Sequence, residues 1–256
     1  MPNVKSNRRR LILVTPLLLA LVLSSALGCC MRKLQPAQTS FNQATQSQVI
    51  GAELTSAQRS QYQQAVSQAE AALAVCKRTD LKVNAYAMIA FAKWRLGDHT
   101  GANSAANAGR SLYESAKLTT NQRDYAMLLL TSGFVLQSQA HQEYRDRLNR
   151  GSYMSPAEAR QISQKMDNAL KDIDGATARL DKSNPALDYA YQQQLLIVWD
   201  QINLWSKGVR DQKDWEPEVR RAIQRGREIA KKLPPGDPFA QKMLKQFNDT
   251  EQALNP

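Results

Sequence analysis

Histidine is scarce in this 256-residue chain, and no alternating β-strand pattern occurs anywhere along it. The two histidines, His99 and His141, have no second histidine and no carboxylate pair at a metal-ligand spacing, so no metal site is expected. Neither is followed by a hydrolase or metalloprotease motif. A strained nucleophile turn, a phosphate-cradling glycine loop and a dinucleotide fingerprint are also missing. Asp172 and Asp174 stand two apart on a predicted helix and do not face each other. No cofactor is implied, and the chain is not expected to be an enzyme. The basic residues are scattered, with Arg220, Arg221, Arg225 and Arg227 as the densest group. Without a basic stripe, no nucleic-acid partner is expected.

The first residues differ sharply in composition from the remainder of the chain. Lys5, Arg8, Arg9 and Arg10 precede an apolar run from Leu11 to Leu27, broken only by Thr15, Pro16, Ser24 and Ser25. A cationic head followed by an apolar run is the composition of an export signal. The run closes on Ser25-Ala26-Leu27-Gly28-Cys29, which resembles the signal of bacterial lipoproteins. That resemblance implies a signal peptide over residues 1–28 and acylation of Cys29, as in palmitate-bearing proteins. It further implies a cell-envelope location on the outer side of a membrane. No aspartate follows Cys29, which implies the periplasmic face of the outer membrane where the source has two membranes. A retained signal anchor and cleavage without a lipid are the alternatives. Loss of residues 1–28 removes Lys5, Arg8, Arg9 and Arg10 and lowers the formal charge from +11 to +7.

Residues 29–53 are rich in Gln, Ser, Thr and Ala and read as a flexible tether. Cys30 and Cys76 have the spacing of neither a metal site nor a redox dithiol, and no structural disulfide is expected. Cys76 reads as a small buried residue at the end of an alanine-rich helix.

The domain is expected over residues 54–256 as helices joined by short turns. Tyr62, Val66, Ala69 and Leu73 recur at helical intervals behind a capping Thr55 or Ser56. Ser155-Pro156-Ala157-Glu158 is a helix start, and Trp215-Glu216-Pro217-Glu218 reads as another. The cluster Pro234-Pro235-Gly236-Asp237-Pro238 ends a helix.

The segment Asn84 to Gly109, with Ala92, Leu96-Gly97-Asp98, His99 and Ala102, resembles a tetratricopeptide repeat. The resemblance implies two antiparallel helices joined at Leu96, Gly97 and Asp98, and an all-α fold of right-handed helical hairpin repeats. Gly109 stands where that family has alanine, a departure expected to loosen the contact. An irregular helical bundle is the alternative.

Stacked hairpins present one helix of each pair on a concave face, where a partner can lie. The residues expected there are Tyr86, Lys93, Asn121 and Tyr125, with Trp199 and Trp205 as a second aromatic surface. The function expected is that of a membrane-anchored adaptor or assembly factor that binds another envelope protein. A structural spacer on anionic lipid or cell-wall polymer is the alternative. Partner identity and oligomeric state are not written in the sequence.

Overall fold

The computed structural model describes residues 28–46, 53–184 and 186–255. Nine α-helices occupy them: α1 (Gly28–Gln46), α2 (Ser56–Val75), α3 (Thr79–Leu96), α4 (His99–Ser115), α5 (Gln122–Asn149), α6 (Pro156–Thr177), α7 (Ala186–Gly208), α8 (Gln212–Ala230) and α9 (Pro238–Leu254). Among the described residues there is no strand, only one backbone bridge between Met154 and Val209. The fold is all-α, as expected. Residues 1–27 of the expected signal and the side chain of Cys29 lie outside the described residues.

Local chemistry sets the helix ends. Thr55 and Ser155 each form a reciprocal capping box, with Gln58 and Glu158. Each box satisfies two amide donors that a helix start otherwise leaves orphaned. Gly97 ends α3 at φ 85°, and the Asp98 side chain accepts the amide of Gly101 at 2.8 Å to open α4. A turn of two residues forces α3 and α4 to be neighbours. One expected start moves: α8 begins at Gln212, so Pro217 lies inside the helix.

The hairpins α1/α2, α3/α4, α5/α6 and α7/α8 each pack closely. Every odd-numbered helix also packs on the odd-numbered helix before it, from α1 to α9, while the even helices pack closely only on their odd neighbours and are linked to one another by side-chain ion pairs, Arg110–Asp172 and Arg225–Asp167. Helices α1 and α9 do not pack closely on one another. The result is an open row of hairpins with the odd helices lining one side.

Three expectations are corrected. The stretch read as a flexible tether, residues 29–53, is helical as far as Gln46, and α1 packs against α2 and α3. Cys30, Leu34, Ala37, Phe41 and Ala44 recur every three or four residues, and all are buried. Pro36 lies within this helix on its exposed side, where the lost backbone bond weakens the helix. Burial of the stripe offsets that cost. Contrary to expectation, Cys30 and Cys76 form a disulfide with Cα atoms 5.0 Å apart. Docking of α1 brings together two cysteines whose spacing carries no pattern.

Gly109 is the third correction. A Cβ there would lie 2.8 Å from the Cβ of Tyr86 and from both terminal methyls of Leu128. Glycine therefore tightens the crossing of α3, α4 and α5 instead of loosening it. Gly109→Ala is expected to destabilise the protein by about 1–3 kcal/mol through overpacking, read from urea unfolding midpoints; an unchanged midpoint contradicts the close approach.

The disulfide closes a loop of 46 residues. Loop-closure entropy gives such a link about 4 kcal/mol. Cys76→Ser is expected to lose most of that in denaturant titrations, and reductant should have the same effect on the native chain but none on the variant.

Candidate partner-binding groove

The groove arises from unequal helix lengths. Helix α3 has 18 residues and α5 has 28. Their N-terminal ends are pinned together: Asn121 Nδ2 donates to the Asp80 carbonyl at 3.1 Å, and Asn84 Nδ2 donates to Asp124 at 2.9 Å. At the other end α5 outruns α3 by about 15 Å, from 1.5 Å per residue. Helix α7 packs along α5. A cavity of about 920 Å³ forms between Trp94 and His99 at the α3–α4 turn, the α5 segment from Phe134 to Asp146, and Tyr189 to Asp200 of α7.

Its floor belongs to a longer aromatic series. Phe41 of α1 meets Phe91 of α3 at 5.8 Å, Phe91 meets Trp94 at 5.4 Å, Trp94 meets Phe134 of α5 at 4.9 Å, and Phe134 meets Tyr189 of α7 at 5.5 Å. Tyr62 of α2 packs against the first two rings. Edge-to-face and tilted contacts of this kind each contribute about 0.5–1.5 kcal/mol beyond area burial. Phe91, Trp94 and Tyr189 are half-buried. The Arg95 guanidinium lies 5.5 Å over the Trp94 ring.

The rim is polar. Gln137, Ser138, Gln142 and Gln193 line it with Glu143, Asp146 and Asp200. His141 Nδ1 lies 2.9 Å from Asp200 Oδ2, and the imidazole stands edge-on to Tyr144. Burial pushes the Asp200 carboxyl above the usual aspartate range, and the bond and charge of His141 act against that rise. His99 Nδ1 is buried without a hydrogen-bond partner among the described residues. No hydroxyl or thiol among them bonds to His141, so no nucleophile–base pair is assembled there.

None of the six expected binding residues lines this groove. Tyr86 packs at the crossing with Gly109. Lys93 pairs with Glu70 of α2 at 2.9 Å. Asn121 is the helix pin described above. Tyr125 stacks on Tyr113 at 4.1 Å and donates its hydroxyl to Glu114 at 2.6 Å. Trp205 is core, and Trp199 packs near Phe247 of α9. Most of them lie on odd helices, but the face of the helix decides. The informative signals are the polar run Gln137-Ser138-Gln139 and His141-Gln142-Glu143, which follows the apolar stretch from Tyr125 to Leu136 in the same helix, and the glutamines from Gln192 to Gln194.

Other charged groups serve packing. Asp172 accepts from Arg110 at 2.8 Å and from Ser132 at 2.6 Å, which ties α4, α5 and α6. Arg220, Arg221, Arg225 and Arg227 pair with Glu216, Glu218, Asp167 and Glu251. No cluster of His, Cys, Asp and Glu among the described residues can hold a metal ion.

The Asp200 carboxyl binds its proton more tightly than an unfolded aspartate does. It therefore favours folding at acid pH, and this contribution fades as pH rises through the raised value. His141→Ala removes the opposing bond and charge, so the Asp200 midpoint in carboxyl NMR titrations is expected to move higher still. A fall in that midpoint contradicts the pairing. No protein-family model matches this sequence, and no curated protein matches it.

Proposed function

We propose that the protein is an exported lipoprotein, anchored through Cys29, that binds a partner envelope protein in the α3–α5–α7 groove and acts as an adaptor or assembly factor. The observation that carries this reading is the groove itself, an aromatic floor under a polar rim on the open side of a row of hairpins. Its volume lies in the range of binding clefts. Half-buried aromatic side chains ringed by polar groups are the usual anatomy of an interaction hot spot. Row-wise packing of hairpins supports the tetratricopeptide-like resemblance, whose concave faces hold peptides or helices. The Cys30–Cys76 disulfide supports export, because such bonds persist in oxidising compartments.

Ion pairing of Arg220, Arg221, Arg225 and Arg227 compensates the densest group of cations in the chain, which weakens the spacer alternative.

A photo-crosslinking residue at Gln139, on the groove side of α5, is expected to capture a discrete protein partner in intact cells. The same residue at Arg160, exposed on α6, is expected to capture none. Trp94→Ala and Gln193→Arg should each reduce the Gln139 adduct by at least about tenfold, the scale of a hot-spot loss. Equal capture at both positions, or capture indifferent to both substitutions, overturns the groove as the binding site.

A further inference from the structure

We propose that the edge of the stack carrying the Cys30–Cys76 disulfide is a contact surface for anionic phospholipid headgroups, so that the domain lies against the bilayer. The inference deepens the reading of Cys29 as the lipid-bearing residue and rests on it.

Position is the first argument. Cys29 directly precedes Cys30, and Cys30 is covalently fixed to Cys76 at the end of α2. Consecutive Cα atoms are 3.8 Å apart, so an acyl chain on Cys29 leaves no slack between the lipid and the folded body. The start of α1, the end of α2 and the start of α3 must then meet the headgroup layer.

Exposed apolar side chains mark the same edge independently of the lipid. Among the described residues three large hydrophobic side chains are exposed: Met31 at 45%, Val75 at 55% and Tyr153 at 58%. Two of the three flank the disulfide, Met31 beside Cys30 and Val75 beside Cys76. Tyr153 belongs to the opposite edge, where Arg210 covers its ring.

Charge is the third. Arg32, Lys33 and Lys77 are exposed, Lys82 is half-buried, and none makes an ion pair among the described residues. Of the acids at this edge, Asp80 is held by Arg78, and Asp124 accepts from Asn84 and Asn121. The densest arginine group, on α8, is neutralised by its pairs, whereas these cations are left uncompensated around a small apolar patch. Apolar side chains ringed by lysine and arginine are what an anionic interface attracts, by insertion at the headgroup boundary and by surface potential.

The test uses the full chain purified from membranes and reconstituted in phosphatidylcholine vesicles with and without phosphatidylglycerol. Amine-reactive footprinting read by mass spectrometry is expected to find Lys33, Lys77 and Lys82 modified at least about fivefold more slowly when phosphatidylglycerol is present. That factor corresponds to the contribution of a single cation near such a surface. Lys207 and Lys213, at the opposite edge, should be unaffected. Val75→Glu, at an exposed position that leaves the core intact, should abolish the protection. Equal rates at the two edges, or protection indifferent to phosphatidylglycerol, overturns the proposal. The mass of the Cys29 peptide in the same digest judges the anchor separately. An unmodified Cys29 with lysine protection intact refutes the anchor and supports the surface, while an acylated Cys29 without protection does the reverse.

Discussion

The contacts between aromatic rings on successive odd helices are the constraint on which the rest of the molecule depends. Six of the seventeen aromatic side chains form one connected series from Phe41 to Tyr189. Each ring is large, rigid at low entropy cost and able to share a contact with two neighbours. Helices α1, α3, α5 and α7 are thereby held in a row, and the even helices fill in behind. Three of these rings, Trp94, Phe134 and Tyr189, also line the groove, so the packing between odd helices and the lining of the groove share residues. A change at Trp94 or Phe134 acts on both.

Helix α1 ties this row to the membrane account. As a flexible tether, residues 29–53 would have let the domain stand off the bilayer and sample orientations. As a helix sealed by Phe41 and by Cys30–Cys76, α1 is the first member of the row. The groove then keeps a fixed relation to Cys29. With the proposed lipid on Cys29, the proposed partner of the groove approaches along the membrane surface, toward the open side of the odd helices.

How much was legible in the sequence depends on the range of the physics involved. The helices and most of their ends are local events, signalled by Thr55, Gly97, Asp98, Ser155 and Asp237, and they stand where those residues indicate. Helix α1 was obscured because Pro36 and a run of Gln, Ser and Thr outweigh a stripe whose members include a cysteine and two alanines. The disulfide was invisible because only docking of α1 creates the proximity. The groove was hidden for a similar reason. It depends on the ten-residue difference between α3 and α5 and on the asparagine pins that align them at one end. Neither length alone contains that information. Odd-helix residues such as Lys93 and Trp94 are adjacent in sequence, yet one pairs with α2 and the other faces the cavity.

Amide hydrogen exchange along residues 30–46 of the oxidised chain tests most directly whether α1 belongs to the aromatic row. The account predicts that the amides of Leu34, Ala37, Phe41 and Ala44 exchange as slowly as those of α3, because they open only when the row opens. Exchange of this segment at the rate of an unstructured peptide, while α3 stays protected, would contradict it.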